Sequence, residues 1–132
     1  MKSLFFTIAT MVCVSAFAQY KIGILPRTSP DKGIYEQIGY TGVEITYGAP
    51  KTKGRTIWGN IVPYDEVWRA GANDATRIEF SEDVEIGGNI LPKGIYSLFI
   101  IPHESDAWTV IFNAEYDQWG AFNYDEYQDV LR

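Results

Sequence analysis

The sequence is poor in the residues that most often build reactive, metal-binding or nucleic-acid-binding sites. Its 132 residues include one cysteine, Cys13, and one histidine, His103. A single cysteine excludes an intramolecular disulfide, and with one histidine it falls short of an ordinary zinc site. Eleven Lys and Arg residues stand against 17 Asp and Glu residues, for a net charge of −6. This acidic balance argues against a nucleic-acid-binding protein and against docking on anionic lipid.

A long hydrophobic run occurs only at the N-terminus. Residues 4–17 follow Lys2 and are almost wholly apolar, and Ala16-Phe17-Ala18 has the small-x-small pattern of a cleavage site. The run is shorter than the roughly 20 residues of a transmembrane helix, so it predicts a secretory signal peptide at residues 1–18. We therefore expect a secreted or periplasmic mature protein with no cysteine and no membrane span.

The mature chain alternates apolar and polar residues with a period of two. Residues 19–32 lack this pattern and contain Pro26 and Pro30, which predicts an irregular lead-in. The alternation at residues 43–47 and 76–80 predicts half-buried strands. Gly87-Gly88 lies between two short apolar segments and predicts a tight hairpin.

The second half of the chain completes the predicted fold. Residues 95–101 are apolar on both faces, which is typical of a central, covered strand, and residues 108–112 alternate again. Tyr124, Tyr127 and Leu131 have helical spacing and allow one short helix. We predict an all-β fold, an antiparallel β-sandwich of jelly-roll or immunoglobulin-like type, as a single domain at residues 33–132.

A long segment rich in glycine and aromatic residues, 53–76, carries ordered motifs. The two motifs within it are GRxIWG at 54–59 and VPYxxVWRxGANxAT at 62–76. Three more follow it in the chain: LPxGxYSL at 91–98, WTVIFN at 108–113 and DVLR at 129–132. Together they resemble the domain of unknown function 2911 family. The resemblance implies a secreted or periplasmic protein, commonly of Bacteroidetes-like bacteria, with no established activity. It also implies further strand-like sequence after DVLR, so we expect either a short variant or a domain truncated at its C-terminus.

The same segment supplies the candidate binding residues. They are Arg55, Trp58, Trp68, Arg69, Asn73, Asp74 and Thr76. Arginine offers a planar fork of donors for carboxylate or phosphate and stacks on aromatic rings, so a small-ligand site with an aromatic floor is predicted. The alternative is structural: these side chains satisfy the backbone of a long loop, with Asp74 or Asp65 pairing with an arginine.

Other polar residues give weaker signals. His103 follows Pro102 in a turn and is expected to be exposed, and no serine lies in a nucleophile-elbow pattern. Asp117, Asn123 and Asp125 invite a calcium hypothesis but lack the spacing of an EF-hand. We assign no catalytic residue, no metal ligand and no cofactor.

Three functions compete on this evidence. The leading hypothesis is a non-enzymatic exported module that binds a small ligand, a glycan or a protein in the cell envelope. The second is a hydrolase that uses Asp65 or Asp74 with Arg69 stabilising charge, although sequence cannot show whether two carboxylates face each other. The third is a structural or assembly component whose exposed edges pair with another chain.

Overall fold

A computed structural model describes residues 27–132. The predicted signal peptide and most of the predicted lead-in lie outside the described residues. The described part contains eight strands and one turn of 3₁₀ helix. In chain order they are β1 (Asp31–Ile38), β2 (Thr41–Gly48), β3 (Ala72–Phe80), β4 (Val84–Ile86), β5 (Asn89–Leu91), β6 (Gly94–Ile101), β7 (Thr109–Asn113), the 3₁₀ turn (Glu126–Gln128) and β8 (Asp129–Leu131).

The strands form one large sheet and one small one. The large sheet has six strands in the order β1-β2-β3-β6-β7-β8, and β4 and β5 form a separate two-stranded hairpin. Every pairing is antiparallel. The predicted all-β, antiparallel class is therefore confirmed, and the second layer of the sandwich has two strands in this part of the chain.

The alternation of apolar and polar residues explains why the strands predicted from sequence form. In β2, Val43 and Ile45 face the core and pair with Phe80 and Ile78 of β3. The hairpin turn at Gly87 and Gly88 has φ angles of 59° and 83°. Positive φ at both central residues defines a type I′ turn, which glycine adopts without strain. The predicted hairpin is thus confirmed together with its turn chemistry.

Both faces of the large sheet are covered at its central strands. On one face, Leu91 of the hairpin is fully buried in a cluster that contains Ile78, Phe80, Tyr96 and Phe112. On the other face, a second cluster of Ala75, Phe99 and Ile111 packs against residues from loops, among them Val67, Ala121 and Tyr124. The central strand β6 contributes to both clusters, which confirms the prediction from its doubly apolar sequence.

Two expectations about the ends of this region need correction. The lead-in was expected to extend to residue 32, but β1 begins at Asp31 and pairs with β2 over its whole length. The helical spacing near the C-terminus produces a 3₁₀ turn, not an α-helix, and β8 follows at once. The reason is that the aromatic residues do not share a buried face: Tyr124 packs on Phe99, while Tyr127 is 89% exposed.

Candidate functional site

Residues 49–71 connect β2 to β3 and form an ordered loop. Two backbone hydrogen bonds tie the loop to β6: Trp68 N donates to Ile100 O at 2.8 Å, and Ile100 N donates back to Trp68 O at 2.9 Å. A third runs from Asp65 N to Pro102 O at 2.9 Å. Asp65 adopts a left-handed backbone conformation with φ of 61°, which Asp tolerates better than most residues. The loop is therefore held against a rigid sheet, as binding loops often are.

A groove of about 470 Å³ lies between this loop and the start of β3. The volume falls within the range of small-molecule sites. The lining residues are Ser29, Pro50, Lys51, Thr52, Arg55, Ile57, Trp58, Ile61, Val62, Trp68, Arg69, Gly71 and Ala72. Sequence reasoning did not identify Lys51 or the aliphatic residues, because nothing in their local pattern distinguishes them from ordinary loop residues.

Tryptophans form the aromatic part of the groove. The rings of Trp58 and Trp68 meet edge to face, with centroids 5.4 Å apart and planes at 81°. Trp58 also meets Trp108, whose ring centroid is 4.6 Å away. Such pairs contribute about 0.5–1.5 kcal/mol beyond the area that they bury. Trp58 is nevertheless 40% exposed, so part of its indole remains available to a ligand.

The charge of the groove is opposite to that of the whole chain. Its lining includes Lys51, Arg55 and Arg69 and contains no Asp or Glu. The Arg55 guanidinium is oriented by two bonds, from Nε to Thr52 O and from Nη2 to Lys51 O, both at 2.9 Å. This concave positive patch on an acidic protein favours an anion.

Arg69 has an unmet hydrogen-bonding capacity. Its Nε is buried and has no hydrogen-bond partner among the residues that the structure describes. Within the same residues the side chain forms no ion pair. A buried donor without an acceptor costs about 1–3 kcal/mol, so a rearrangement that gave this Nε an acceptor would be favoured.

The other three predicted binding residues lie elsewhere and have structural contacts. Asn73, with φ of 64°, donates from Nδ2 to Ser29 O at 2.9 Å. Thr76 is buried, and its hydroxyl donates to Ala70 O at 3.2 Å. Asp74 is half-exposed and lies 3.8 Å from Arg27. The structure thus brings together Arg55, Trp58, Trp68 and Arg69 in the groove and leaves these three outside its lining.

His103 has contacts that sequence reasoning missed. Its Nδ1 lies 2.5 Å from Asp65 Oδ1, and its Nε2 lies 3.2 Å from Thr109 Oγ1. The Trp108 indole donates to His103 O at 3.0 Å. None of these residues lines the groove. The chain of contacts links the loop to the β6–β7 turn, and no sequence signal revealed this link because Asp65 and His103 are 38 residues apart along the chain.

The acidic residues considered for calcium are engaged in other contacts. Asp117 accepts from Arg77 Nη2 at 2.6 Å, and Asp125 accepts from Tyr127 N at the start of the 3₁₀ turn. Across residues 27–132, no three His, Cys, Asp or Glu side chains are grouped so that they could hold a metal ion. The same region contains no helix with the length and apolar character to cross a membrane.

Comparison with known proteins identifies the family of the chain. A family model described as protein of unknown function, DUF2911, matches residues 29–132. No curated protein and no solved structure matches the sequence. The match covers the whole sheet, the loop and the groove, and it agrees with the resemblance that the sequence motifs suggested. The chain therefore belongs to the DUF2911 family.

Proposed function

We propose that this protein is an exported binding module whose groove takes a small anionic ligand with an apolar ring face, such as a sugar acid. Export rests on the signal peptide predicted at residues 1–18. The observation that carries the ligand class is a groove lined by three cations and no acid, and one of these cations, Arg69, has a buried Nε without a partner among residues 27–132.

The groove offers contacts to both parts of such a ligand, its carboxylate and its ring. A carboxylate accepts two parallel hydrogen bonds from a guanidinium, and bonds of this charge-assisted kind are about twice as strong as neutral ones. Arg55 is already oriented by the loop backbone, so little side-chain entropy is lost when it binds. The exposed part of Trp58 supplies an apolar surface for the ring.

The hydrolase alternative receives less support from the geometry. Its two candidate carboxylates, Asp65 and Asp74, do not line the groove. Asp65 instead contacts His103, and Asp74 neighbours Arg27. A pair of carboxylates facing across a cavity is the arrangement that glycosidase chemistry requires, and the groove is lined by neither.

Matched pairs of ligands provide the test. Glucuronate and galacturonate are compared with glucose and galactose by isothermal titration and thermal shift. We expect the acids to raise the melting temperature, since a ligand at 100 times its Kd stabilises the native state by about 2.7 kcal/mol. We expect the neutral sugars to bind at least about tenfold more weakly, because they lack the carboxylate that would accept hydrogen bonds from Arg69.

Substitutions assign the effect to the groove. Arg69→Gln should weaken binding of the acids at least about tenfold, since it removes the charged fork, and Arg69→Lys should weaken it less. Arg77→Gln is the control, because Arg77 lies outside the groove lining and pairs with Asp117. Circular dichroism confirms that each variant is folded. Equal binding by Arg69→Gln and the parent, or no binding of any acid, would show that the proposal is wrong.

A further inference from the structure

The strand β1 is exposed along its whole length. All eight of its residues are exposed, including Ile34 at 51%, Tyr35 at 61% and Ile38 at 67%. It is the terminal strand of the large sheet, so in the described part of the chain one of its two edges is unpaired. An edge strand of this length without proline is a template for pairing with another chain.

The turn before β2 determines which backbone groups point outward. Ile38 pairs with Thr41 across a two-residue turn that begins with Gly39, whose φ is 61°. Such a hairpin closes with a hydrogen-bonded pair, and hydrogen-bonded and non-hydrogen-bonded pairs then alternate along the strands. The even-numbered residues of β1 therefore bond to β2. The odd-numbered residues 31, 33, 35 and 37 direct their backbone groups to the free edge.

The sequence of β1 is complementary to itself in one antiparallel register. If Ile34 lies opposite Ile34 of a second copy, Lys32 lies opposite Glu36 at two symmetric positions. Tyr35 then lies opposite Gly33, a pairing in which an aromatic ring covers the glycine. A shift of two residues either way places Ile34 opposite Glu36 or Lys32 and loses both ion pairs. Opposite charges and apolar pairs across strands each contribute about 0.2–1 kcal/mol.

We propose that two copies of this chain associate through β1, antiparallel, with the two-fold axis at Ile34. The two large sheets then form one continuous sheet. Ile34 lies on the face of the sheet that carries Ile45 and the core cluster, so the contact joins the apolar faces of the two copies. The free backbone groups of residues 33 and 35 bond to each other across the axis, as the alternation requires.

Charge reversal tests the register. The full chain is expressed, purified after export and examined by sedimentation velocity over a range of concentrations, and we expect twice the monomer mass. Glu36→Lys and Lys32→Glu each place like charges opposite each other and should weaken the dimer at least about tenfold. The double variant restores opposite charges and should recover dimerisation. Both side chains are exposed and form no hydrogen bond within the described residues, so the monomer should stay folded.

A cysteine cross-link tests the axis independently. Ile34 would face its own copy at a non-hydrogen-bonded position, where side chains are closest, so Ile34→Cys should form an intermolecular disulfide under mild oxidation. Tyr35→Cys is the matched control, because its opposite residue is Gly33, and the parent chain controls for cross-linking that does not depend on the introduced cysteine. A parent that is monomeric at every concentration would overturn the proposal. So would a double variant no more dimeric than the single ones, or equal cross-linking by Ile34→Cys and Tyr35→Cys.

Discussion

Replacing Asn113 with alanine should destabilise the fold more than a single polar substitution usually does. Asn113 ends β7 and is fully buried. Its amide donates to Asp125 O at 2.9 Å and to Asp129 Oδ1 at 2.7 Å, and its carbonyl accepts from Glu115 N at 3.0 Å. One side chain thus joins β7, the following loop and the start of β8.

The size of the loss follows from these three bonds. Each of the two bonds to neutral backbone groups contributes about 1 kcal/mol, and the bond to a carboxylate contributes about 1.5–3 kcal/mol. The sum is about 3.5–5 kcal/mol, a large fraction of the roughly 5–15 kcal/mol by which domains are stable. For a domain of about 100 residues this corresponds to a fall in melting temperature of at least about 14 °C.

Urea unfolding followed by circular dichroism measures this loss. The control is Asn89→Ala, because Asn89 is exposed in the β4–β5 hairpin and makes one long bond, 3.4 Å, to Gly87 O. We expect the control to change the free energy of unfolding by less than about 0.5 kcal/mol. A loss of less than about 1 kcal/mol for Asn113→Ala, or a loss equal to that of the control, would refute the reasoning.

Two further predictions concern the same sheet. Burial, followed by the hydrogen bond to Asp129, raises the pKa of Tyr124 from 10.0 to about 12. A raised pKa means that the protonated phenol stabilises the folded state, and this contribution is complete below pH 10 and is lost as the pH rises towards 12. The free energy of unfolding, measured in urea between pH 9 and pH 12, should therefore fall less with pH in Tyr124→Phe than in the parent. A Cβ at Gly48 would overlap the Ala72 carbonyl oxygen, whereas at Gly33 its nearest neighbour is 3.7 Å away. Gly48→Ala should therefore cost at least about 2 kcal/mol and Gly33→Ala less than about 0.5 kcal/mol, and equal losses would contradict this.

The strands were predictable from sequence because their signal is local. Side chains alternate between the two faces of a strand, so the residues that share the core face with Ile45 or Ile78 can be read from spacing alone. Gly87-Gly88 was equally informative, since few residues accept positive φ in a tight turn. The strand β1 gave a weaker signal because it buries neither face and has no apolar alternation to maintain.

The groove was only partly predictable because its residues meet through long-range contacts. The pairs of Arg and Trp near each end of the loop suggested a site, and Arg55 and Arg69 do line one groove. Nothing local indicated that Trp58 meets Trp108 or that Asp65 meets His103, because the β6–β7 turn is brought to the loop by sheet pairing. Thr76 lies in β3, where strand geometry fixes its orientation independently of the loop.

The pairing of Gly48 with Ala72 closes the loop at its base, because these residues end β2 and begin β3. The register between β2 and β3 is thus set by the strand residues themselves, outside the loop. Doubling the length of a loop adds only about 0.6 kcal/mol of closure entropy. Insertions or exchanges within residues 50–61, which line the groove and precede the bonds from Asp65 and Trp68 to the sheet, can therefore reshape the groove while the sheet is preserved.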